Sequence, residues 1–282
     1  MSRHGGIVLA GGRSSRMGSS KASLAWHGST LVRRVAGIVA RGVGGPVVLV
    51  RSPGQSLPSL PAAFEVLEDI EKGKGPLGGL SVGLEALAGR CEAAYVSSTD
   101  VPFLHPAFVR RVVGELGAGV DACVPCVRGF RHPLAAVYRA GLAPTVKSLL
   151  SSDRLRVALL LEACSWKELD EAALLADPGL ARFDPGLESV TNLNDPQEYE
   201  TATAQLQPLV QLQWRDAGGP PGGPPARATL RAATLGGAAE AIGLDLGPGL
   251  EIALNGDLVS PDPEEPLAEG DVVCFARAAT LP

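Results

Sequence analysis

Aromatic residues are scarce in this chain, 4% of 282 residues, so its core must be assembled mainly from Val, Leu and Ala. No run approaches the ~18 consecutive apolar residues of a membrane span. The opening MSRHGGIVLAGG has a short apolar stretch without the h-region of a signal peptide. A cytoplasmic protein with no membrane partner is expected. Cysteine is limited to Cys91, Cys123, Cys126, Cys164 and Cys274. An odd number scattered along a long chain argues against a disulfide framework. Cys123 and Cys126 have CxxC spacing, but with no second pair the stretch reads as a strand, not a zinc or redox site. His4, His27 and His105 lack ligand-like spacing, and no Ser/His/Asp arrangement can be defended. A net charge of −5 lacks the basic excess that nucleic acid binding requires. Lysine is missing altogether from residues 209–282, which hold ten Asp and Glu against four Arg. The acidity therefore belongs to the C-terminal part.

What is present is a soluble globular composition, 45% hydrophobic and 20% charged, long enough for about two domains. Short apolar runs alternate with helix-like segments over the first two-thirds. Strands are expected at Gly6–Ala10, Pro46–Val50, Phe64–Leu67, Ala93–Ser97, Ala122–Val127 and Leu134–Tyr138. Helices are expected at Leu31–Ala40, Leu77–Leu87 and Pro106–Leu116. This pattern predicts an α/β fold with a mostly parallel sheet covered by helices on both faces. Ligands bind such sheets at the carboxyl ends of the strands. A Gly/Pro stretch at 217–225, AGGPPGGPP, cannot sit inside an element. The alternating VQLQW before it makes it a long hairpin loop, so the domain boundary is placed near Gln207–Pro208. Residues 208–282 then read strand, strand, helix, strand, strand, a small α+β module. NGD at Asn255–Asp257 is its hairpin signal.

Several loops carry chemistry. IVLAGGRSSRMGSSK, residues 7–21, places Gly11 and Gly12 after a buried strand and adds Arg13, Arg16 and Lys21. Such a loop can cradle an anion with backbone N–H groups. It is neither GxGxxG nor the Walker pattern, and its glycines and cations favour a triphosphate over a plain turn. STDVPFL puts Asp100 after another strand, where a carboxylate suits Mg²⁺ shared with substrate phosphates. Capping the next helix is the alternative, but five residues is far for a cap. LEDIEKGKGPLGG offers Asp69 with Gly75 and Gly78, either packing a base or phosphate or forming a simple turn. In SVTNLNDPQEYE, Asp195 and Glu198 fit a helix cap, leaving Asn192 and Asn194 to present side-chain oxygens. His132, before Pro133, is either a packed histidine or a substrate contact. Trp26, Trp166 and Trp214 read as packing residues.

LAGGRSSRMGSSK, LED before GPLGG, TDVP, HPLAAVY and NLND, in this order, resemble the molybdenum cofactor guanylyltransferase family over roughly residues 5–206. That family has a Rossmann-like nucleotidyltransferase fold. The resemblance implies that Leu9, Ala10 and Gly11 hold the nucleotide through their backbone and that Lys21 meets the phosphates. It implies Asp69 at the guanosine, and Asp100 on Mg²⁺ and the triphosphate. Asn194 matches the second asparagine of the N-x-N motif, close to the metal. An asparagine common in the family after the second strand is absent; VVLVRSPG with Arg51 stands there. The substrates implied are GTP and molybdopterin, with CTP or sugar phosphates as alternatives. The pterin's terminal phosphate would attack the α-phosphorus and expel pyrophosphate. Such transfer rests on positioning and charge neutralisation, and no general base is assigned.

ALNGDLVS and PLAEGDVVCFARAA resemble the β-grasp sulfur carriers of molybdopterin and thiamine synthesis. Those carriers end in Gly-Gly; this sequence reads Ala279-Thr280-Leu281-Pro282, so sulfur carriage is not expected. Docking to other cofactor-synthesis proteins, through acidity that suits a basic partner surface, is one expectation; a structural appendage is the other. A non-catalytic binding module is the remaining alternative to an enzyme.

Overall fold

The structure is a computed structural model that describes residues 2–11, 20–69, 73–214 and 227–277. The chain opens with β1 (Ser2–Leu9), whose Ile7 and Val8 are fully buried on opposite faces. A two-strand hairpin, β2 (Ala25–Trp26) and β3 (Ser29–Thr30), leads into helix α1 (Leu31–Val43). Leu31, Val32, Val35, Ala36, Ile38 and Val39 bury the helix's apolar stripe, and Gly44 ends it at a left-handed φ of 63°. Then come β4 (Val47–Arg51), β5 (Glu65–Glu68), α2 (Gly75–Leu87), β6 (Cys91–Ser98) and α3 (Pro106–Gly114). They are followed by β7 (Ala122–Val127), the short β8 (Phe130–Arg131), β9 (Ala135–Arg139), α4 (Ala143–Ser151) and α5 (Val157–Glu162). β10 (Trp166–Leu169), α6 (Glu171–Leu175), α7 (Pro178–Phe183) and α8 (Pro196–Thr203) complete this part.

The main sheet has the order β10-β7-β9-β6-β1-β4-β5, with β8 paired to β7. The β6-β1-β4-β5 half is parallel, as the apolar runs predict. β9 is the exception, antiparallel to both β6 and β7. It follows β7 after a connection too short to hold a crossover helix, so the chain must turn back on itself. Helices cover both faces, giving two apolar cores. One is built on Val8, Leu49, Tyr95 and Val137 under α1 and α3, the other on Ile7, Val48, Val96 and Tyr138 under α2, α4 and α5. Among the described residues no helix is long and apolar enough to cross a membrane.

A second sheet follows, built from β11 (Leu209–Trp214), β12 (Arg227–Arg231), β13 (Leu250–Leu254), β14 (Asp257–Val259) and β15 (Val272–Arg277), with helix α9 (Leu235–Glu240) after β12. Its order is β12-β11-β15-β13-β14, with β11 and β15 parallel at the centre and the outer pairs antiparallel. Asn255 and Gly256 have φ of 55° and 98°, the paired positive values of a two-residue hairpin turn. Residues 215–226, including the Gly/Pro stretch, and residues 278–282 fall outside the described residues.

The two sheets are fastened across α1. Arg33 and Arg34 are only 9% and 5% exposed on this helix, and Arg seldom sinks this far without partners. The partners are in the C-terminal part. Arg33 pairs with Asp262 and, at 3.3 Å, with Glu264. Arg41 pairs with Asp271 at 2.5 Å and donates to the Pro266 carbonyl at 2.9 Å. Arg34 donates to the carbonyls of Pro102 and Leu267. Burial lowers its guanidinium to about 10, aided by the charge of Arg41 and opposed by Asp271, so it stays cationic at neutral pH. Gly37, inside α1, costs helix stability but allows close contact: a Cβ there would lie 2.5 Å from the Pro266 ring. Part of the C-terminal acidity is thus matched by arginines of the same chain.

Candidate active site

Leu9 at the end of β1 sits in register with Val50 of β4 on one side and Ser98 of β6 on the other. The loops leaving these strands therefore emerge side by side at the carboxyl edge of the sheet. Two residues past Ser98 comes Asp100, whose side chain is 15% exposed. Ser98 Oγ donates to its Oδ1 at 2.6 Å and Asn192 Nδ2 to the same oxygen at 3.3 Å. Lys21 Nζ donates to Oδ2 at 2.9 Å and to the Leu193 carbonyl at 2.6 Å. The Leu193 N–H in turn donates to the Asp100 carbonyl at 2.8 Å. Segments far apart in sequence thus meet on one carboxylate. They are held there because Leu193 is buried with Trp26, Leu31 and Ala202 in a small apolar cluster beneath the site.

Asp100 does not cap α3. That role falls to His105, whose Nδ1 accepts from the Ala107 N–H at 3.1 Å. Nε2 of His105 then carries the proton and donates to the Glu269 carbonyl at 3.0 Å. Burial lowers the His105 pKa, partly offset by that hydrogen bond. Asp195 caps α8, accepting from the Glu198 N–H at 2.9 Å. The Glu198 carboxylate takes the N–H of Asn194 at 2.5 Å, one residue before the cap. Of the two asparagines, Asn192 is the one that reaches Asp100 with its side chain.

The other described candidates occupy the same edge in different ways. Leu9 is buried within β1. The N–H groups of Ala10 and Gly11 donate to the Val50 carbonyl at 2.8 and 3.2 Å, so these two amides are spent within the fold. Gly12, Arg13 and Arg16 lie outside the described residues. The Asp69 N–H donates to the Arg51 carbonyl at 2.8 Å, and its carboxylate lies against α2, where a Cβ on Gly78 would sit 3.0 Å from both oxygens. Gly75 opens that helix at φ 65°. His132 lies between β8 and β9; burial lowers its pKa, a hydrogen bond to the Val127 backbone raises it, and Arg128 lowers it. Sequence reasoning missed Gln55. Its Nε2 donates to the Ala10 carbonyl and to Ser20 Oγ, both at 2.9 Å, while its Oε1 accepts from the Ser52 N–H at 3.0 Å. It lies in the turn after β4, and a single carboxamide there gave no sequence signal.

The Asp100 carboxylate with Ser98 Oγ beside it offers hard oxygen donors, the type Mg²⁺ takes. Among the described residues no three His, Cys, Asp or Glu side chains group as a metal cluster. One carboxylate with substrate phosphates supplying the other oxygens is the usual Mg²⁺ arrangement.

Residues 6–166 match the family model described as MobA-like NTP transferase domain. The chain is 32% identical over 173 residues to a Bacillus cereus protein named "Probable molybdenum cofactor guanylyltransferase", covering 84% of that protein. It is 28% identical over 208 residues to a protein of the same name from Bacillus anthracis, covering 98% of it and 73% of this chain. The fold resembles that of molybdopterin-guanine dinucleotide biosynthesis protein A from Archaeoglobus fulgidus, with a TM-score of 0.55, 23% identity, and coverage of 71% of this chain and 96% of that one.

Proposed function

Because the chain belongs to the MobA-like NTP transferase domain family and is a nucleotidyltransferase, we propose that it transfers GMP from GTP to the molybdopterin cofactor. One observation carries this reading: Lys21 and Asn192 converge on Asp100 at the carboxyl edge of the sheet, beside the strand that leads into the glycine loop. The terminal phosphate of molybdopterin supplies an oxygen that bonds to the α-phosphorus of GTP. The bond from that phosphorus to the β-phosphate bridge breaks, and pyrophosphate leaves with the electron pair. The attacking oxygen is already anionic, so no residue has to remove a proton. Lys21 neutralises phosphate charge, exchanging its contact with Asp100 for the triphosphate. Asp100 would hold Mg²⁺, with Asn192 and Asn194 near it; the ion would supply Lewis-acid charge neutralisation at the phosphates. Gly12, Arg13 and Arg16, in the loop that follows Leu9, Ala10 and Gly11, would meet the phosphates, and Asp69 with Gly75 and Gly78 would form the nucleoside side. His132 faces the second substrate.

The catalytic domain is assigned to residues 1–207 and a β-grasp module to residues 208–282. The two central parallel strands flanked by antiparallel neighbours, with a helix after the first hairpin, support the latter assignment. The proposed setting is the cytoplasm, with other proteins of cofactor synthesis as partners of the module's outer face. The test incubates the full chain with molybdopterin, Mg²⁺ and each nucleoside triphosphate, and measures pyrophosphate. GTP should turn over well above the others. No turnover, a CTP preference, or turnover with hexose 1-phosphates in place of the pterin contradicts the reading.

A further inference from the structure

We propose that Arg34 is a positioning residue through which the docked C-terminal sheet holds the Asp100 loop in its metal-binding geometry. The proposal rests on the reading of Asp100 as the metal ligand. The loop runs from the end of β6 to the start of α3, and its two halves are held differently. The Asp100 half is fixed by the candidate site itself, through Leu193 and Ser98. The far half is tied to the C-terminal segment before β15, apart from the His105 N–H, which donates to Ser189 Oγ at 3.0 Å. Arg34 Nε donates to the Pro102 carbonyl, two residues past Asp100, while Nη1 of the same guanidinium donates to the Leu267 carbonyl at 3.1 Å. At the loop's end, His105 Nε2 donates to the Glu269 carbonyl at 3.0 Å.

A guanidinium is planar and rigid, so a bond on one edge fixes where the other edge can point. Seating Leu267 therefore helps seat Pro102, and withdrawing it leaves a buried cation with a donor unmet, a costly state in the interior. Arg33, one residue earlier, touches the same C-terminal segment through Asp262 and Glu264 without a bond to the Asp100 loop. The two arginines thus separate loosening of the interface from release of the loop.

The experiment compares the full-length wild type with Arg34→Lys and Arg33→Gln. Mg·GTP affinity is measured by calorimetry, and hydrogen exchange is followed in a peptide covering residues 99–108. Lysine keeps the charge but loses the fork. Arg34→Lys should weaken Mg·GTP about tenfold, a typical coupling between linked sites, raise KM more than it lowers kcat, and speed exchange in that peptide. Arg33→Gln should lower the melting temperature while leaving affinity and exchange near wild type. Should Arg34→Lys fail to fold, Gly270→Ala provides a second route, since a Cβ there (φ 81°) would lie 2.0 Å from the Phe183 ring and displace the segment that carries Glu269. It should shift affinity and exchange in the same direction. Affinity and exchange that stay at wild-type values in Arg34→Lys, or in a Gly270→Ala chain whose C-terminal sheet is loosened, overturn the proposal alone. A wild-type chain that binds no Mg·GTP overturns the Asp100 reading and this proposal together.

Discussion

Two of the places where basic side chains meet carboxylates have opposite design. At the sheet edge, Lys21 meets Asp100 with side chains 21% and 15% exposed. The ammonium is a compact charge on a flexible stem, free to trade one anion for another. At the interface, Arg41 meets Asp271 with side chains 17% and 6% exposed. There Asp271 also accepts from Asn255 Nδ2 at 2.8 Å and from the Ala268 N–H at 2.7 Å, and Arg33 and Arg34 reinforce the contact. A lysine with a part-exposed partner suits exchange with a ligand. Arginines with several fixed acceptors suit a permanent fastening.

Substitutions on the two sides should separate this contrast into activity and stability. Asp100→Ala carries the largest expected effect: kcat should fall by about 10²–10³, the typical cost of removing one electrostatic stabiliser of a transition state. Its melting temperature should stay near wild type, and full activity in a pyrophosphate assay would rule out the assigned role. Asp271→Ala should do the reverse, costing about 3 kcal/mol of stability by leaving the part-buried Arg41 guanidinium without its carboxylate, as read by denaturant unfolding. Gly37→Ala is a smaller test. In an exposed helix this change gains about 1 kcal/mol, but here the clash with Pro266 should turn it into a loss of about 1–3 kcal/mol. His105→Asn gives the smallest effect. Asn keeps the helix cap but removes the titration. The folded pKa of His105 lies below the usual 6.5, so its contribution is complete above that value and is lost as pH falls through the lower folded one. The stability advantage of wild type over His105→Asn should therefore shrink between pH 8 and pH 5; a constant difference would show that His105 does not titrate this way.

Much of this was legible in the sequence. The apolar runs gave the strands, Asn255-Gly256 gave the hairpin, and Asp195 gave a helix cap, because each depends on local chemistry alone. The reversal of β9 was not drawn from the sequence, although the short connection after Val127 leaves no room for a crossover helix. Nor did periodicity show that Arg33 and Arg34 would be buried: their C-terminal partners lie more than two hundred residues away. At the candidate site, the family resemblance implied Asn194 close to the metal on Asp100. It did not single out Asn192, whose side chain is the one that reaches Asp100, because that depends on how Leu193 is anchored beneath the loop. Gln55 was missed because a lone carboxamide in a turn carries no pattern.

The central claim is that Lys21 and Asp100 act together on one metal-bound nucleotide. It is tested most directly by kcat/KM for GTP in Lys21→Ala, Asp100→Ala and the double variant. Groups that act as a unit are strongly non-additive, so the double variant should be little worse than Asp100→Ala alone. Losses that simply multiply, or a Lys21→Ala chain with wild-type kcat/KM, would contradict the account.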